Sequence, residues 1–210
     1  MSGQFKSMLA IPFKVLMAVA VFLLLISCQS AGYLLSGSSS EYGESLSKQQ
    51  KAADMNVQLG IAYLQQGYTV RAKSKLLLAL RQAPHWPPAL DAMAYYLEMT
   101  GDNALAQQYY KKALYFAPQE GRSQNNYGAY LCRTGQYSRA IDHFIKAVQD
   151  PNYIETAEAY ENAGLCALKI PNNALAEQYF LKAIRLDPHR ETSMLELAHL
   201  KSPSAKALKK

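Results

Sequence analysis

Small residues recur along this chain in locked series. Ala72, Ala106, Ala140 and Ala176 are separated by 34, 34 and 36 residues, and Ala79, Ala113, Ala147 and Ala183 repeat those steps seven residues later. Gly60, Ala94, Gly128 and Gly164 keep the same spacing upstream. Residues seven apart lie on one face of a helix, so each alanine pair marks one helix and each upstream glycine or alanine marks another. Between them stand Gly67, Gly101 and Gly135, with Pro171 in the fourth unit. The pattern predicts an all-α tandem array of antiparallel helical hairpins. Two helices approach closely only where the crossing side chains are small, so the first small series should face the first alanines, with aromatics and leucines one turn away filling the remaining space. The turn glycines supply the positive φ that ends the first helix. Pro84, Pro118, Pro151 and Pro188 stop the second.

Four units follow, 53–86, 87–120, 121–154 and 157–190, spanning 53–188 between the first helix and the last proline. Around the small residues they carry Leu59, Tyr63 and Leu76; Met93, Leu97 and Tyr110; Tyr127, Leu131 and Phe144; Ala163, Ala167 and Phe180. This arrangement resembles the tetratricopeptide repeat, whose period is about 34 residues. The resemblance implies a right-handed superhelix whose concave groove is lined by positions 2, 5, 9, 12 and 13 of each unit, here Asp54, Val57, Ile61, Leu64 and Gln65, then Asp91, Tyr95, Glu98 and Met99. Apolar side chains at consecutive inward positions make a trough suited to an amphipathic or extended peptide. For Val57, packing against a neighbouring hairpin is an equal alternative. The third unit offers Arg122, Asn125 and Arg133, which suit polar or carboxylate groups of a partner.

The amino terminus has a different pattern. Lys6 and Lys14 are basic, no acid precedes Glu41, and Val15 to Ile26 is an unbroken apolar run, too short for a comfortable membrane span of about 20 residues. Residues 1–27 read as an export signal. Leu25-Ile26-Ser27-Cys28 resembles the bacterial lipobox, which implies cleavage before Cys28 and lipid attached to it. The alternatives are a soluble secreted protein with a chance cysteine, or an uncleaved anchor. Gln29 is not the aspartate that retains such lipoproteins in the inner membrane, so the resemblance points to the outer membrane, with the body on its periplasmic face. Residues 28–50 are rich in Ser, Gly and Gln without helical period and read as a flexible tether.

Half of the 210 residues are apolar and the net charge is +6. The charge is terminal: setting aside Lys6, Lys14, Lys201, Lys206, Lys209 and Lys210 leaves 16 basic residues against 16 acidic. A basic groove for nucleic acid is therefore not expected. His85, His143, His189 and His199 lack ligand spacing, so neither a metal site nor a cofactor is expected, and no phosphate loop or serine elbow is present. The chain reads as a binding protein rather than an enzyme. Trp86 reads as packing at a repeat junction. Cys132 and Cys166 fall at positions 12 and 10 of neighbouring first helices, close enough for a bridge in an oxidising compartment. Two buried free thiols are the alternative.

Local strings beyond the repeat consensus narrow the family. They are Asn125-Asn126-Tyr127-Gly128-Ala129-Tyr130-Leu131-Cys132, Asp150-Pro151-Asn152-Tyr153 and Glu161-Asn162-Ala163-Gly164-Leu165-Cys166, with the two extra residues falling around Tyr153 and Ile154. With the lipobox, they resemble the type IV pilus pilotin lipoproteins, the PilF/PilW family. The resemblance implies an outer-membrane lipoprotein that helps the pilus secretin subunit reach the membrane, assemble or stay stable. A general outer-membrane scaffold for envelope assembly or cell-wall enzymes is the alternative. The departure is at the carboxyl end, where residues 189–210 begin a fifth repeat with Met194, Leu197 and Ala198 and run into Pro203 and a lysine-rich tail. Either this stub caps the array or the frame is truncated.

Overall fold

The computed structural model describes residues 48–202. The export signal, Cys28, most of the tether, Pro203 and the basic tail lie outside the described residues. Helix α1 occupies 48–65, already helical where the tether was expected to continue, because Lys48-Gln49-Gln50-Lys51-Ala52-Ala53 is made of good helix formers. It is followed by α2 (Thr69–Gln82), α3 (Pro87–Met99), α4 (Asn103–Phe116), α5 (Gly121–Arg133), α6 (Tyr137–Ala147), α7 (Thr156–Ala167), α8 (Asn173–Leu186) and α9 (Glu191–Lys201). The described residues contain no strand.

Helices pair as the small residues require. A Cβ placed on Gly128 would lie 2.9 Å from the Phe144 ring and 3.1 Å from the Ala140 carbonyl, and one on Gly164 would lie 2.6 Å from Phe180. Gly60 meets Leu76 in the same way. The eight alanines are fully buried, and Leu76, Tyr110, Phe144 and Phe180 fill the space beside the crossings. In the second unit the small residue is Ala94 and the filler is Tyr110, whose ring is buried while its hydroxyl reaches Glu98. Gly101 and Gly135 adopt φ of 91° and 81°, the left-handed turn that glycine takes without penalty. The fourth turn has no such residue, and Asn172 caps α8 there by accepting from the Leu175 amide at 3.1 Å.

Junctions between hairpins use other devices. Pro87 and Pro88 start α3, where their missing donors are harmless, and Trp86 packs with Ala53, Ala79, Ala83 and Ala89. At the 36-residue step, α6 stops at its second alanine, Ala147, whereas α2, α4 and α8 run three residues past theirs. Asp150 then accepts from the Gly121 amide at 2.8 Å and the Asn152 amide at 2.9 Å, and Tyr153 turns inward to a nearly buried position. Tyr153 rests on Gly121, where a Cβ would come within 2.5 Å. The two extra residues thus carry a buried aromatic plug. These amide bonds, the Gly121 one foremost, hold the Asp150 carboxyl below its ordinary range.

Helices α3, α5, α7 and α9 contact one another in turn, and each second helix packs on the first helix that follows it. The Cys132 and Cys166 sulfurs lie 2.19 Å apart, with Cα atoms 5.8 Å apart, joining α5 to the hairpin after it. Helix α9 covers part of α7 and α8 with Ser193, Leu197 and Leu200, while Met194 and Leu195 remain exposed.

Gly128→Ala should lower stability by about 1–3 kcal/mol, the usual range for overpacking, because the Phe144 ring and a backbone carbonyl both stand in the way. Gly101→Ala meets no neighbouring atom and should cost only about 1–2 kcal/mol, from its positive φ. Urea denaturation of the two variants checks both; a neutral Gly128→Ala would overturn the close-crossing account.

Candidate functional site

The first helices share one side of the array, and there a cavity of about 440 Å³ opens. It is lined by Val57 and Ile61 of α1, Pro88, Asp91, Ala92 and Tyr95 of α3, Tyr110 of α4, Arg122, Asn125, Asn126, Ala129 and Arg133 of α5, and Glu158 and Asn162 of α7. Of the residues mapped onto the groove, Val57, Ile61, Asp91, Tyr95, Arg122, Asn125 and Arg133 are brought together. Leu64, Gln65, Glu98 and Met99 lie outside the lining: Leu64 packs against the core, Gln65 and Met99 face solvent, and Glu98 is held by its neighbours. Val57 does both things that the sequence allowed, since it lines the cavity and packs on two core clusters.

The apolar trough expected across the first two units is only part of this cavity. Val57, Ile61, Ala92 and Tyr95 supply apolar surface, while α5 and α7 supply amides and charges. Asn126 and Asn162 were not singled out from the sequence. They occupy position 6 of successive units, 36 residues apart, which the groove positions leave out, whereas mapping the fourth unit would have found Glu158 at position 2. Asn162 Nδ2 donates to Asn125 Oδ1 at 3.1 Å, tying α7 to α5 along the lining.

The two arginines expected to receive a partner's carboxylate are engaged within the chain. Arg133 donates through Nε to Glu98 Oε1 at 2.5 Å and through Nη2 to Glu98 Oε2 at 2.9 Å, and this bonding raises the guanidinium above its ordinary pKa. Glu98 also accepts from the Tyr110 hydroxyl at 3.2 Å. The physical reason is register: residues 35 apart on adjacent first helices stand side by side. Arg122 pairs more loosely with Glu155 at 3.3 Å, an exposed contact of the kind that contributes at most about 1 kcal/mol.

Asp91 is the exception to this internal pairing. It is 4% exposed, and its Oδ2 accepts from Ser123 Oγ at 2.6 Å and from Asn126 Nδ2 at 3.2 Å. Its Oδ1 has no hydrogen-bond partner. Ser123 Oγ is equally close, 2.6 Å, to Glu120 Oε2. One hydroxyl carries one hydrogen, so it donates to one of the two carboxylates at a time. Burial pushes Asp91 up to about 7, with nearby Glu120 adding to the rise and Ser123, Asn126 and Arg122 opposing it. Among the described residues, no cluster of three His, Cys, Asp or Glu side chains is placed to hold a metal.

A tetratricopeptide-repeat family model matches residues 87–120 and 157–190. The type IV pilus assembly protein PilF of Pseudomonas aeruginosa is 36% identical over 150 residues, covering 71% of this chain and 60% of that protein. The solved Pseudomonas aeruginosa PilF structure superposes with a TM-score of 0.68 at 35% identity, over 73% of this chain and 69% of that one. The chain belongs to the PilF/PilW family of tetratricopeptide-repeat proteins. PilW, a widely conserved type IV pilus biogenesis factor, has a solved structure with a TM-score of 0.65 at 28% identity, covering 71% of this chain and 68% of its own. The chain spans 60% of the length of the Pseudomonas protein.

Asp91 gives this family member a defined pH signature. Its carboxyl holds its proton to about pH 7 in the folded chain and to 3.8 when unfolded, so its contribution to stability falls as pH rises between those values. Asp91→Asn should remove that decline. Urea midpoints of both proteins at pH 5 and pH 8 check this: the variant should gain on the wild type at pH 8, and an unchanged difference would overturn the assignment.

Proposed function

We propose that this protein is an outer-membrane lipoprotein, anchored through lipid on Cys28 with its repeats on the periplasmic face, that serves type IV pilus biogenesis as a pilotin. It seats a segment of the pilus secretin subunit in the cavity between α1, α3, α5 and α7, guiding the subunit to the membrane and into its ring. The observation that carries this reading is 36% identity to a type IV pilus assembly protein over 150 residues, 71% of the chain. A lipid anchor and a half-apolar cavity suit the task physically: one end partitions into the bilayer while the other holds a chain that aggregates when free. In that oxidising compartment Cys132 and Cys166 form a bridge, a reading supported by the 5.8 Å between their Cα atoms.

Deleting the gene should abolish surface pili and heat-stable secretin multimers. Normal pili accompanied by envelope or division defects would favour the scaffold alternative. Within the protein, Tyr95→Ala should weaken capture of the secretin and leave the thermal melt nearly unchanged, because Tyr95 lines the cavity and is only half-buried. Leu64→Asp is not an equivalent test, since Leu64 packs against the core. Equal losses of melt and capture in Tyr95→Ala would place that residue in the fold rather than the site.

Intact mass with alkylation should show no free thiol at Cys132 or Cys166 until reductant is added. Reduction should then lower stability by about 3–4 kcal/mol for a loop of 34 residues. Two alkylated thiols without reductant would overturn the bridge.

A further inference from the structure

Two of the junctions between units share one geometry and differ in charge. At the last junction Glu161 is 8% exposed, and it accepts from the Ser193 amide at 3.1 Å and the Ser193 hydroxyl at 2.7 Å. Its other oxygen receives Arg190 Nη2 at 2.6 Å. Glu161 is therefore satisfied on both oxygens, and its carboxyl stays below the ordinary range despite the opposing effect of burial. Two units earlier the same register recurs. Asp91 stands 32 residues before Ser123 and 29 before Glu120, as Glu161 stands 32 before Ser193 and 29 before Arg190. The serine is kept, but where the last junction has an arginine this one has a glutamate. The result is a buried carboxylate with one unpartnered oxygen, beside a second carboxylate, in a residue that lines the cavity.

We propose that the Asp91–Glu120 junction is a cation subsite, and that an extended peptide in the cavity places an arginine or lysine side chain there, filling the role that Arg190 plays at Glu161. The inference rests on the peptide-binding reading of the cavity and deepens it. Burial does not by itself shut the place off, since Glu161, 8% exposed against 4% for Asp91, is reached by a guanidinium that is itself 24% exposed. The groups around Asp91 compensate it only in part. Arg133 is taken by Glu98, Tyr110 donates to Glu98, and the α7 charge on the cavity lining, Glu158, is negative, while Arg122 opposes the rise of the Asp91 carboxyl without bonding to it and pairs loosely with Glu155. From α1 only the apolar Val57 and Ile61 contribute to the lining. The extended segment then lies with apolar side chains against Val57, Ile61 and Tyr95. On binding, the cation replaces the proton on Asp91, which is released to solvent, so binding strengthens as pH rises from 6 to 8.

The test uses a phage library of random peptides of about ten residues, selected at pH 8 on the wild type, on Asp91→Asn and on Glu120→Arg. Glu120→Arg supplies the cation within the chain and should melt higher than the wild type at pH 8, which also shows that it folds. The wild-type pool should be enriched roughly tenfold in arginine or lysine at one position, and both variant pools should lack that enrichment. Replacing the selected arginine by uncharged citrulline should weaken binding about tenfold at pH 8 and less at pH 6. No cationic enrichment on the wild type, or the same enrichment on either variant, overturns the proposal. That failure would leave the pilus reading intact, just as normal pili after gene deletion would leave the library result intact.

Discussion

Everything in this molecule depends on how closely the two helices of each hairpin approach. The contact at Gly128 sets the scale: with no side chain there, the Phe144 ring and the Ala140 backbone come within about a methyl group of the α5 backbone. The space is filled rather than left open, since Phe144, Phe180, Leu76 and Tyr110 are all buried to within a few per cent. Close packing of this kind fixes the distance between helices. That distance fixes the spacing of first helices along the array, and so decides which side chains of successive units stand side by side. The contacts that recur 29, 32 and 35 residues apart follow from it.

The irregular step shows what the constraint permits. Two residues were added between the third and fourth units without disturbing either crossing, because α6 gives up its last turn and the freed chain forms a loop around Asp150. Tyr153 replaces the lost helical packing with an aromatic ring over Gly121, Ala147 and Ala159. Gly121 is small for that reason and not for its backbone freedom. A regular repeat would have no use for the aspartate, the tyrosine or the glycine, and they work only together.

The repeat architecture was legible because close crossings demand small residues at fixed intervals, and no other constraint writes glycine and alanine so regularly. The turn glycines, the prolines and the Cys132–Cys166 juxtaposition were legible for the same reason, being set by register alone. The site was harder to read. Positions 5 and 9 found the apolar side of the cavity in Val57, Ile61 and Tyr95, but the position rule treats each unit separately. Whether Arg133 is free depends on Glu98, a residue of the preceding unit, and whether Leu64 is open depends on what packs beside it. Gly121 was invisible because its partner, Tyr153, lies in a loop with no periodicity.

The same register explains why charge rather than shape distinguishes one junction from the next. A carboxylate on one first helix and a serine on the following one recur at Asp91–Ser123 and Glu161–Ser193, so the fold supplies the position and each unit chooses what balances it. Arg190 balances Glu161 from within and ties α9 to the array through a part-buried, charge-assisted hydrogen bond, with the other Glu161 oxygen held by Ser193. Glu120 does the opposite at Asp91. A junction built only for stability would carry an arginine or a neutral residue there, because a buried carboxylate beside another is an expense that packing does not recover. Its location on the cavity lining, between apolar surface from α1 and amides from α5 and α7, lets the positive charge that Arg122 supplies only in part come from solvent or from whatever occupies the cavity. The proton supplies it at low pH; near neutrality, where Asp91 begins to release that proton, the deficit is open to a ligand's own cation.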